Sequence, residues 1–336
     1  MTIMSVTDFV HCSEKYGGLP SVCNTLTTIS SVDKVEEKSF TLPIHLESED
    51  PVIFLFLVTF STLGILGNAS TLGIIICAKY FHKPPFMVIG TLALADLVSL
   101  FQYLSELIVV KLDKEIHDQY NQLFMTLIFT TAHASASHVV LLIGLRYYFV
   151  VTPLRARTKR SRVVNVASSL LWVFSVIFGV IYYAVRFNVQ TKDVGTVVLF
   201  FRGYLLCVPC IFMGVFHCRK INSLRNSLNY CRISRQVRQM SAMILVIMSI
   251  YILSATFFPI AFSLYYYRVL KLHESKSIHV IARTLWLTNL SANPLIYFIY
   301  SPKVRQRVSL ILRRKSVQQT TLERSSNRTL SMTRIC

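Results

Sequence analysis

Apolar residues in this chain fall in long blocks, with neither the alternation of half-buried strands nor the narrow stripe of surface helices. In windows of about 20 residues, the length needed to cross a bilayer as a helix, seven blocks stand out. They span 52–78, 86–110, 122–150, 164–185, 194–218, 240–267 and 277–300. The pattern predicts an all-α fold, a seven-transmembrane helix bundle over 52–300. Arg202 and Arg283 interrupt two blocks, so six and eight are the competing counts. After the break at Ser301-Pro302, Val304, Val308, Leu310, Ile311 and Leu312 recur among arginines, predicting a short amphipathic membrane-surface helix over 301–314. Polar flanks complete the chain, an N-terminal segment over 1–51 and a tail over 315–336.

Composition agrees with the blocks. Hydrophobic residues make up 53% and charged residues 15%, wrong for two soluble domains of the same total length. The net charge of +19 gathers in alternate connections and the tail: Lys79 and Lys83, Arg146 to Arg162, Arg219 to Arg238, and Lys303 onward. By the positive-inside rule these face the cytoplasm and the N-terminus lies outside, giving a multi-pass protein of the plasma membrane. Anionic lipid head groups account for the basic surface, and no nucleic-acid partner is needed. The N-terminal segment is rich in Ser, Thr and acidic residues, and is expected to be loosely ordered. Cys12 and Cys23 could pair there or remain free thiols.

The polar residues inside the blocks carry the chemistry. Asp96 is a carboxylate at mid-membrane, a functional candidate and equally an inter-helix hydrogen-bond anchor. Asn289 and Asn293 are four apart and share a face, just before Pro294. Prolines at 209, 259 and 294 each remove a helical hydrogen bond, which predicts kinks. His133 and His138 are five apart, a poor spacing for shared metal ligation, and read as packing histidines. Cys207, Cys210 and Cys218 read as small apolar residues. No nucleophile–base grouping, metal cluster or phosphate loop appears, so the chain does not read as an enzyme.

Taken in order, these residues resemble the rhodopsin-like (class A) G-protein-coupled receptors over roughly 52–314. The resemblance rests on Gly67-Asn68, Leu92–Asp96, Arg146-Tyr147 with Pro153-Leu154, Trp172, the three prolines, and Asn293-Pro294-Leu295-Ile296-Tyr297 as the NPxxY ending. It implies that Arg146, with Tyr147, meets a heterotrimeric G protein and that Tyr297 swings in beneath Arg146. Asn68, Asp96, Ser135, Asn289 and Asn293 would surround a water-filled core that can hold an allosteric sodium ion. Pro259 would let the lower part of span 6 move outward. Arrestin and kinases would act at the tail.

The chain also departs from the family. Leu145 stands where an acid usually precedes Arg146, and Gln239 where span 6 often has a second acid. Basal signalling follows as an expectation. Phe257 replaces the family's span-6 tryptophan, and the outer disulfide is missing because no cysteine lies in 117–123 or 186–194. Ile128 stands where amine receptors carry an aspartate, which argues against a monoamine agonist. Arg202 and Arg283 take positions that face the family's ligand pocket, with Glu106, Phe262 and Trp286. Buried arginines require acceptors. An internal pair with Glu106 and an acidic ligand stand as equal readings. The expected agonist is a neuropeptide-like peptide, then a small acidic chemosignal. A receptor-like decoy that binds without signalling, and a membrane transporter, are the competing functions.

Overall fold

The computed structural model describes residues 50–112, 118–151, 161–189, 193–225, 235–267, 272–301, 304–306 and 309. The N-terminal segment with Cys12 and Cys23, most of the expected 301–314 helix, and the tail lie outside them.

Seven α-helices run through the described residues: α1 (Pro51–Cys77), α2 (Pro84–Leu112), α3 (Asp118–Val151), α4 (Ser161–Asn188), α5 (Val194–Arg225), α6 (Arg235–Tyr266) and α7 (Leu272–Tyr300). A single 3-10 turn, Lys79–Phe81, joins α1 to α2. Asp50 starts α1 by accepting the Val52 and Ile53 amides at 2.9 and 3.3 Å, and Pro51 follows where no intrahelical N–H is needed.

Six of the helices are long and apolar enough to cross a membrane. α7 falls below that mark because Arg283, Asn289 and Asn293 lie within it, yet it spans 29 residues and closes the bundle. α2 packs on α1 and α3; α3 packs on α4 and α5; α5, α6 and α7 follow in turn, and α7 returns to α1. α3 is the most buried span, and α1 and α4 the least, presenting broad apolar faces outward. These faces suit lipid, where hydrocarbon replaces water as solvent.

Two apolar clusters fill the interior. One lies at the Arg146 end and includes Leu92, Leu142, Leu145, Met243, Ile247 and Tyr297. The other lies at the Arg202 end around Leu100, Tyr103, Phe258, Trp286 and Leu287. Between them sit buried Asn68, Asp96, Ser99, Ser135 and Asn293. Close helix approach frames this layer: a Cβ added at Gly67 would lie 3.3 Å from Pro294 Cγ, so the smallest residue lets α1 reach the proline of α7.

Candidate functional site

All three prolines lie inside helices. A proline at position i orphans the carbonyl at i−4, and in lipid that acceptor needs another donor. Pro294 orphans the Leu290 carbonyl, and the Asn68 side-chain amide donates to it at 3.0 Å, tying α1 to α7. Pro209 orphans the Leu205 carbonyl, and the Tyr251 hydroxyl donates to it, tying α6 to α5. Two helix interruptions have thereby become inter-helix joints.

Asp96 is fully buried beside the first joint. Its Oδ1 accepts the Ser135 hydroxyl at 2.7 Å and its Oδ2 accepts the Asn293 amide at 2.7 Å, so α2, α3 and α7 meet on one carboxylate. Ser99 donates instead to the Ala95 carbonyl within α2. Asn289 is half-buried and lines a cavity with Ser135. Asn68 Oδ1 is buried with no hydrogen-bond partner among the described residues. The group is therefore rich in hard oxygen acceptors.

At the Arg146 end, Arg146, Tyr297, Pro294, Ile75 and Met243 line one cavity, bringing α1, α3, α6 and α7 together. Tyr147 stacks on Phe216 of α5 at 5.9 Å. Leu145 is buried in the surrounding apolar cluster.

At the opposite end both expected arginines are buried, Arg202 at 7% and Arg283 at 1% exposure. Aromatic faces surround them. The Arg202 guanidinium lies 4.8 Å from the Phe129 ring centre and 4.1 Å from that of Phe258. Arg283 lies 5.1 Å from Tyr103, 5.2 Å from Phe258 and 5.7 Å from Trp286. Phe258 thus serves both cations, and a guanidinium over a ring face retains attraction without a directional acceptor. Glu106, Ile128 and Phe262 are also buried. Glu106 and Arg283 both act electrostatically on Arg202.

Phe257 is the correction. It is 41% exposed and continues an outward stripe with Leu253 and Ile260, while its neighbour Phe258 takes the inward place. One residue turns a helical side chain by about 100°, and nothing in two adjacent phenylalanines tells which faces in. Sequence reasoning also missed Tyr251 and His279, the latter edge-on to Phe258 at 5.9 Å. A signal for Tyr251 existed, because Pro209 announces an orphaned carbonyl, but the donor's identity depends on how α6 is turned.

His133 stacks on Phe178 and meets the Ser175 hydroxyl at 2.9 Å, and His138 meets the Ala134 carbonyl at 2.7 Å. Both are engaged in packing between helices.

No curated protein matches the chain. The profile of the 7 transmembrane receptor (rhodopsin family) matches residues 67–297. This interval runs from the glycine of α1 that meets Pro294 to the tyrosine of α7 that shares a cavity with Arg146. The protein is a multi-pass membrane protein of receptor rather than enzyme type, and the chain belongs to the rhodopsin family of seven-transmembrane receptors.

Proposed function

We propose that the protein is a plasma-membrane receptor, with its N-terminus outside, that binds an extracellular ligand carrying an acidic group and activates a heterotrimeric G protein. The ligand is a neuropeptide-like peptide or a small acidic chemosignal. One observation carries the reading: two arginines are buried beneath aromatic faces at the Arg202 end, while Arg146 and Tyr297 share a cavity with the α6 residue Met243 at the other. Burying two cations is costly and calls for anionic company. Glu106 supplies one carboxylate near Arg202, so among the described buried residues of this chamber two arginines stand beside one acid. A ligand that prefers one arrangement of α6 shifts the equilibrium between states by its differential affinity for them.

Between the two ends, Asp96, Ser135, Asn68, Asn289 and Asn293 supply carboxylate, hydroxyl and amide oxygens, a donor set that suits sodium. The buried Asn68 Oδ1, which has no hydrogen-bond partner among the described residues, is the feature that fits such an ion. A bound cation would hold α2, α3 and α7 together through charge. Arrestin and kinases belong to the same proposal through the serine- and threonine-bearing tail.

The test is a second-messenger screen of acidic peptides and small carboxylic acids on cells expressing the chain, beside Arg283→Gln at matched surface level. An agonist whose potency falls at least tenfold in the variant is expected. Agonists that lack any acidic group and act equally on both would overturn the ligand assignment.

A further inference from the structure

Arg202 does more than face rings. Its side chain lines a cavity of about 50 Å³ together with Ser135, Tyr251, Ser254, Trp286 and Asn289. Its Nε, buried, has no hydrogen-bond partner among the described residues. Among the described residues Arg202 is the charged side chain in that lining; neither Asp96 nor Glu106 belongs to it. The lining hydroxyls are committed as donors elsewhere: Ser135 to Asp96, Ser254 to the Tyr251 carbonyl and Tyr251 to the Leu205 carbonyl. What the lining brings to a guest is therefore the Arg202 guanidinium, with Asn289 and Trp286 among the other lining residues.

We propose that this cavity beside Arg202 is a subsite for a carboxylate-sized anion. The warrant is a buried cationic donor lacking a partner, in a space that size allows. A water needs roughly 10–15 Å³ of such volume, so the cavity admits a small anion or a few waters and excludes a bulky acid. A guanidinium N–H to a carboxylate is a charge-assisted bond, stronger than one to water. Identifying the anion as the acidic end of the extracellular ligand rests on the receptor reading above; the subsite itself does not.

The position also gives the guest a way to act. Phe258 covers Arg202 at 4.1 Å and Arg283 at 5.2 Å, and Pro259, the next residue of α6, lines the same cavity. Phe258 lines that cavity too, so an anion bonded to Arg202 there competes with the ring for the guanidinium, beside the proline of α6.

The experiment uses the purified full chain in detergent micelles at constant sodium, exchanging gluconate stepwise for acetate while the melting temperature is read. Sodium, charge and the carboxylate group stay fixed, while the anion becomes smaller and loses its hydroxyls. Wild type is expected to gain about 3 °C with saturation, and Arg202→Gln to lose that gain. Arg202→Lys, which keeps the charge but lacks the planar guanidinium fork, is expected to show a weaker response and serves if the glutamine variant does not fold. A flat wild-type titration, or an undiminished gain in both variants, overturns the subsite. No G protein enters this measurement. A saturable response in a chain that fails to signal sinks only the receptor reading, and signalling without the response sinks only the subsite.

Discussion

Asp96 and Arg202 are buried charges of opposite sign in one bundle, and the protein accommodates them differently. The carboxylate accepts a hydroxyl and an amide at 2.7 Å each, from two other helices. The guanidinium lies against ring faces at 4.1 and 4.8 Å. Hydrogen bonds are directional, and leaving one unmade in a buried place is costly. Ring faces stabilise a cation without consuming its N–H groups. The Asp96 layer therefore reads as a joint, and the Arg202 layer as a place that keeps donor capacity for something that arrives.

That contrast orders the substitutions. Asp96→Ala strands the Ser135 and Asn293 donors at once, and about 3 kcal/mol of stability is expected to go, measured by thermal unfolding in detergent. Gly64→Ala comes next, at about 2 kcal/mol from overpacking: its Cβ would stand 2.9 Å from Leu100 Cδ1 and 2.9 Å from Ser291 Cβ. Adding Ser291→Gly should return part of that loss, and a strictly additive double variant would argue against this contact. Tyr251→Phe re-orphans the Leu205 carbonyl and should cost about 1 kcal/mol. Arg202→Met leaves behind ring faces, which need no partner, and Glu106, which keeps Arg283 as a buried cation in the same chamber, so no more than about 1 kcal/mol is expected. If Arg202→Met unfolds the protein as readily as Asp96→Ala, the distinction between joint and receiving site fails. The smallest effect is on signalling. Leu145→Asp restores an acid before Arg146 and should lower ligand-independent output about fivefold at matched surface level.

The bundle was legible because lipid makes helices announce themselves as apolar blocks. The hardest helix to count was α7, where Arg283, Asn289 and Asn293 dilute the block that the site requires. Asp96, Asn289 and Asn293 stood out for the same reason: a polar group in an apolar run is conspicuous. What the helix rotations decide was not legible. Phe257 and Phe258 are chemically identical neighbours, and only packing against α5 and α7 turns Phe258 inward. The bond from Tyr251 to Leu205 joins residues 46 positions apart, a pairing no local pattern encodes. Pro209 and Pro294 showed which carbonyls would need donors, but not that Tyr251 and Asn68 would provide them.

The most direct test of ligand-independent G-protein coupling through Arg146 is nucleotide exchange on membranes carrying the chain without ligand, compared with Arg146→Ala at equal receptor density. Exchange above that of receptor-free membranes, abolished by the substitution, is the expected result. Exchange that is no higher than that of receptor-free membranes, or that is the same with and without Arg146, would contradict it.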